Sequence, residues 1–351
     1  MRIVSPLLKR VVYPSLGKAG YFRRHSGSFL TVVTYHGVLP EDYPPGDQFL
    51  DSSLVSAENF RAQLRLLKSH YEVISCDEFR RSLRDNENLP QRAVLLTCDD
   101  GLLNNLTDML PALQEEGLDC LFFITGASNS EIPAMLWYVE LYLILTLATR
   151  SPVGFTCHGI ELAGVLGDCY SRRSVWLESV KKLSTLNAEA RRGWLDEASQ
   201  AWGLRGDWKL PYLHHPLRRT RFALLTKSEV KHLCDAGMTI GAHSVSHPVL
   251  SEQTAESAYA EIVDSRNELL QMGDSVWAFA YPFGDDKSVG ARELQLAKKA
   301  GFECAFVNTE GILSESSRYA LPRFHVSGDI GLQEFEAHIT GFHSELRRRF
   351  A

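Results

Sequence analysis

From Phe29 onward, short runs of β-branched and apolar residues alternate with segments of helical period: FLTVVTY, NFRAQLRLLKSH, YEVIS, DEFRRSL, AVLLTC. This alternation predicts parallel strands joined by helices, because a chain can re-enter a parallel sheet only through a crossover. Helix starts are marked chemically as well: Ser75 to Glu78 and Thr226 to Glu229 both fit the S/T-x-x-E capping box. The rhythm continues through LPALQEEG and DCLFFITG, stops near Ser128, and resumes at SEVKHLCDAG followed by MTIGAHS. A helix over SAYAEIVDSRNELLQMG, a strand in VWAFAYPFG, a helix in ARELQLAKKAG and a strand in CAFVN follow. The stretch from about 128 to 225, rich in Trp, Arg and helical pattern, offers no obvious strand and reads as a helical insertion.

About seven strands alternating with helices fit an open doubly wound sheet or a closed (β/α) barrel. The barrel is favoured because polar residues fall at the C-terminal ends of several strands: His36, Asp99 and Asp100, His243, Tyr281, then Arg323 and His325. Parallel α/β folds gather their reactive groups at that face.

Composition narrows the function classes. The formal net charge of -6 excludes a general polyanion binder, so no nucleic-acid partner is expected. Seven cysteines form no C-x-x-C pair and read as reduced, buried residues. Residues 1–28 are basic and apolar but broken by Pro6, Lys9, Arg10 and Pro14, which predicts a helical segment and not a signal peptide. A cytoplasmic location is expected, with weak peripheral association at the inner membrane face through this segment. The apolar stretch Ala134 to Ala148 is short for a membrane span and carries Glu140 at its centre, so a buried or interfacial helix is expected there.

The strand LLTC ends in Asp99-Asp100-Gly101, two adjacent carboxylates that need a cationic or protonated partner if buried. GAHSVSHPVL offers His243 and His247, four apart after another strand. Two imidazoles and one carboxylate make a three-ligand site with room for water, as a catalytic divalent metal requires. Zinc is the first expectation, with nickel, cobalt, iron or manganese as alternatives. Taken singly, DDG also reads as a turn or helix cap, and H-x-x-x-H as a capped turn.

Together these motifs resemble the polysaccharide deacetylases, the family of nodulation chitooligosaccharide deacetylases and carbohydrate esterase family four. That family carries T-F-D-D-G, then H-[ST]-x-x-H-P, then a Pro-Tyr-Gly type motif. Here they read Thr97 to Gly101, His243 to Pro248, and Tyr281-Pro282-Phe283-Gly284. The resemblance implies a distorted (β/α) barrel over 29–345, with the helical insertion at about 128–225, that hydrolyses N-acetyl groups of an amino sugar in a polysaccharide, oligosaccharide or lipid-linked glycan. It implies Asp99 as base, Asp100, His243 and His247 as metal ligands, and Tyr281 and Phe283 at the substrate, with the Phe283 N–H on the oxyanion. Ala280 stands where many members carry an arginine, and Arg323 is the candidate replacement, beside Asp99 and the substrate. The opening TYHGV resembles a circularly permuted subgroup acting on exopolysaccharides, which implies His36 as the acid; His325, on a late strand, is the other candidate. An O-acetyl esterase or related amidase, and a non-catalytic carbohydrate-binding or assembly protein, remain alternatives.

Overall fold

The structure, a computed structural model, describes residues 7–24, 30–43, 50–126, 130–149, 155–157, 160–161, 169–272, 275–309 and 317–350. Seven strands form the main sheet: β1 (Thr31–Tyr35), β2 (Ala93–Cys98), β3 (Leu121–Ile124), β4 (Thr239–Ala242), β5 (Ala278–Ala280), β6 (Cys304–Phe306) and β7 (Phe324–His325). They lie in the order β6, β5, β4, β3, β2, β1, β7, with every neighbouring pair parallel. Of the expected strand YEVIS only Glu72–Val73 forms, paired with β2 beside this path. The far edges are drawn together by hydrogen bonds from the Val307 N–H to the Leu321 carbonyl and from the Leu321 N–H to the Ala305 carbonyl, both 2.9 Å. Because the chain at Leu321 runs on into β7, the sheet curls on itself, giving the distorted (β/α) barrel.

Strands β2 and β3 are buried at every residue, which explains why they read as continuous apolar runs. One alternating set, including Val33, Tyr35, Val94 and Leu96, packs under the outer helices such as Ala57–His70. The other set, including Val32, Leu95, Leu121, Phe123 and Phe306, packs inside the curl. Ser75 and Thr226 close their capping boxes with Glu78 and Glu229 as the sequence suggests.

The insertion contains helices Trp137–Leu147, Cys169–Leu183, Ala188–Ala201, Leu210–Leu213 and Pro216–Phe222. It also holds a short antiparallel pair, Thr156–Cys157 with Ile160–Glu161, that the sequence pattern did not reveal: two-residue strands leave no alternation to read. Trp137, Leu141, Ile144, Trp194 and Trp202 belong to a core of its own. Its apolar helix is buried, and Glu140 is neutralised by Arg192 at 2.7 Å and by Lys209. Among the described residues no helix is long and apolar enough to cross a membrane.

The N-terminal segment is helical over Leu8–Lys18 and Tyr21–Arg24. Tyr13 and Phe22 are buried against Ala337, while Lys9 pairs with Asp329 and Arg23 with Glu336. The rest of that expected segment, 1–6 and 25–28, lies outside the described residues.

Candidate active site

Strand register brings the polar residues to one rim. Tyr35 pairs with Cys98, so His36 and Asp99 leave β1 and β2 side by side. Thr34 pairs with His325, which places His325 at the same end. Ala242 pairs with both Ile124 and Phe279, setting His243 between the ends of β3 and β5.

Asp100, His243 and His247 are buried, and one ligand-capable atom of each lies within 4.8 Å of the others. Asp100 Oδ1 is 3.5 Å from His243 Nε2 and 3.3 Å from His247 Nε2. His243 Nδ1 sits 2.7 Å from the Ala280 carbonyl, which accepts its proton and leaves the Nε2 lone pair facing Asp100. Asp100 Oδ1 has no hydrogen-bond partner although it is buried. An orphaned carboxylate oxygen facing two imidazole nitrogens fits a divalent cation, and these donors suit zinc and its neighbours in the transition series.

Asp99 is paired differently. Arg323 Nη1 and Nη2 donate to its two oxygens at 2.7 and 2.6 Å. The guanidinium also reaches Thr34 and Thr97 hydroxyls and lies over the paired Phe123 and Phe306 rings. Burial alone would raise the Asp99 pKa; Arg323, with His243, reverses this and holds it below the ordinary value. Arg323 itself is fully buried and is absent from the cleft wall, so its guanidinium meets the carboxylate and not a substrate.

A cleft of about 380 Å³ opens over these groups. His36 and His325 both line it, with ring centroids 4.7 Å apart. His36 Nδ1 and His325 Nε2 are buried without a partner. Burial, with His36 next, pulls the His325 pKa down to about 3. Phe283 lines the cleft and packs on His247 at 5.0 Å; Tyr281 also lines it, with its hydroxyl donated to the Tyr319 carbonyl at 3.0 Å.

Six non-glycine residues among those described have positive φ, and four of them are here: Asp100 (76°), Ser244 (62°), His247 (53°) and Phe283 (62°). Each costs about 1–3 kcal/mol, a strain that concentrates where geometry is used for chemistry. Gly101 continues the left-handed turn of Asp100, with φ 76°, which accounts for the glycine of the DDG motif.

Nothing in the sequence pattern gives the insertion a place in the site. Trp194 and Trp202 pack on each other in the insertion core, 5.9 Å apart. Tyr138 donates to Asp100 Oδ2 at 3.3 Å, and Trp137 Nε1 donates to the His247 carbonyl at 2.9 Å. Trp176 lines the cleft and was missed; a half-buried Trp in a Trp-rich helix carries no sequence signal that separates wall from core.

Comparison with known proteins agrees with this architecture. Residues 206–305 match the polysaccharide deacetylase family model. No curated protein matches the chain. A deacetylase, PplD, of Streptococcus pyogenes superposes with a TM-score of 0.55 at 16% identity, over 88% of this chain and 97% of its own. IcaB from Ammonifex degensii gives 0.53 at 16%, over 90% and 98%. A de-N-acetylase from Aggregatibacter actinomycetemcomitans gives 0.53 at 14%, over 88% and 98%. At these identities the superpositions establish a shared fold, and residues 206–305 are similar to the polysaccharide deacetylase family model.

Proposed function

We propose that the protein is a metal-dependent hydrolase that removes N-acetyl groups from an amino sugar of a polysaccharide, oligosaccharide or lipid-linked glycan. The observation that carries this reading is the pairing of two unlike carboxylates: Asp100 oriented at His243 and His247, and Asp99 held by Arg323 at the cleft floor. Similarity to proteins described as a deacetylase and a de-N-acetylase supports the acetyl group as the target.

Asp100, His243 and His247 would hold the cation, zinc first by donor type, which when bound supplies Lewis acidity toward a carbonyl and lowers the pKa of water. The remaining chemistry belongs to the chain. Asp99 takes the proton of the water that adds to the acetamide carbonyl carbon, because Arg323 keeps its carboxylate ionised and aimed. The Phe283 N–H, fixed by its left-handed backbone, donates to the oxygen that gains charge. His36 returns a proton to the sugar nitrogen as the C–N bond breaks, leaving acetate and a free amine. Burial and the neighbouring His36 both disfavour a proton on His325, which supports His36 as the acid.

The test is acetate release from N-acetylated and O-acetylated oligosaccharides by purified protein, before and after chelation and metal return. Chelator-sensitive release from the N-acetylated sugar supports the proposal; release from the O-acetylated sugar alone makes the protein an esterase.

A further inference from the structure

We infer that the helical insertion is a clamp on the metal-binding turn, with Trp137, Arg191 and Tyr138 acting as positioning residues for Asp100 and His247. The inference deepens the metal-site reading and rests on it.

The turn from His243 to His247 is strained, since both Ser244 and His247 occupy the left-handed region. Its N–H groups are satisfied from the barrel side. Glu261, on helix Ala255–Leu269, accepts from the Val245 and Ser246 N–H groups at 2.9 and 2.8 Å, and the His247 N–H donates to Ser244 Oγ at 3.1 Å. Its last two carbonyls are satisfied by the insertion. Arg191 Nη2 donates to the Ser246 carbonyl at 3.0 Å and to Ser246 Oγ at 2.8 Å, and Trp137 Nε1 takes the His247 carbonyl. Arg191 is itself buried and lies over the Trp137 ring at 4.8 Å, so the two donors brace each other. Hydrogen bonds made out of water are stronger and fix geometry more tightly.

Tyr138 extends the clamp to the third ligand. Its hydroxyl meets the Asp100 oxygen not aimed at the imidazoles, its ring packs 5.2 Å from that of His247, and its carbonyl accepts from Trp176 Nε1 at 2.7 Å. A division of labour results: the barrel strand β5 orients His243 through Ala280, and the insertion orients Asp100 and His247. Partners behind metal ligands typically change metal affinity 10–100-fold when removed.

The experiment measures cobalt affinity of the full chain by chelator competition, with the visible spectrum of the cobalt-bound protein, for wild type, Trp137→Phe, Tyr138→Phe and Trp202→Phe. Trp202 is the control: the same substitution in the insertion core, at an indole N–H with no partner. Unfolding of the metal-free proteins is followed in parallel; if Trp137→Phe does not fold, Tyr138→Phe, which loses one hydroxyl, carries the test. About tenfold weaker binding or more in Trp137→Phe and Tyr138→Phe, with a shifted spectrum and Trp202→Phe unchanged, is expected. Unchanged affinity and spectrum in the two clamp variants, or an equal loss in Trp202→Phe, would overturn the clamp while leaving the metal site standing. Absence of metal binding by wild type would overturn the metal reading and the clamp with it.

Discussion

Arg323→Met removes the cation from a carboxylate that is almost wholly withdrawn from bulk solvent. The Asp99 side chain is 3% exposed and the Arg323 side chain 0%, with two short bonds between them. Removing one partner of such a pair leaves a buried, uncompensated charge and costs about 3–5 kcal/mol, more than the pair's net worth against apolar residues of similar size. Arg323→Met should therefore lower the unfolding free energy by about that amount at pH 7, read from urea midpoints and slopes. Adding Asp99→Asn removes the stranded charge, so the double variant should recover part of the loss, with a coupling of about 2–3 kcal/mol. The sign with pH follows from the wild-type pair. Asp99 has a folded pKa below its unfolded value of about 3.9, so its stabilisation is present above that value and is lost as pH falls through the folded pKa. A double variant whose loss equals the sum of the singles, or an Arg323→Met protein within about 0.5 kcal/mol of wild type, would refute the pairing of these residues.

Further outcomes are expected. His247→Ala should deplete the purified protein of divalent metal by elemental analysis; an unchanged metal content would remove His247 from the site. His36→Ala should reduce deacetylation by about 10²–10⁴, the usual contribution of a general acid, with metal retained. A crippled His325→Ala beside a near-normal His36→Ala would transfer the acid role to His325. For the N-terminal segment, Leu7 and Val11 are exposed while Lys9 and Arg23 are paired internally, so only weak flotation with anionic vesicles at low salt is expected. No flotation with vesicles in excess would end the membrane-surface idea.

The rim of the barrel was legible because its chemistry interrupts hydrophobic runs: Asp99, Asp100, His243 and His36 each follow a buried strand directly. Arg323 could be paired with Asp99 on paper because the motif lacked its arginine at Ala280 and a late strand offered one. The insertion's part was not legible. Trp137 and His247 are 110 positions apart, Arg191 and Ser246 are 55 apart, and an apolar helix such as WYVELYLILTL looks like core whichever groups its polar atoms meet. The left-handed backbone at Asp100, Ser244, His247 and Phe283 leaves no mark either, since none is glycine and the strain is imposed by the surrounding contacts. The limits of YEVIS and the antiparallel pair of 156–157 with 160–161 were missed for a simpler reason: pairs of two residues are too short to carry a period.

The central claim is amide hydrolysis driven by Asp99 beside a metal site, and the stoichiometry of products tests it most directly. Acetate and new primary amine would be quantified together after incubating metal-loaded wild type and Asp99→Asn with an N-acetylglucosamine oligosaccharide. The prediction is one amine per acetate with wild type, and turnover lower by about 10²–10⁴ in Asp99→Asn at unchanged metal content, because the base is lost and no ligand is touched. Acetate without amine, or an Asp99→Asn protein as active as wild type, would contradict it.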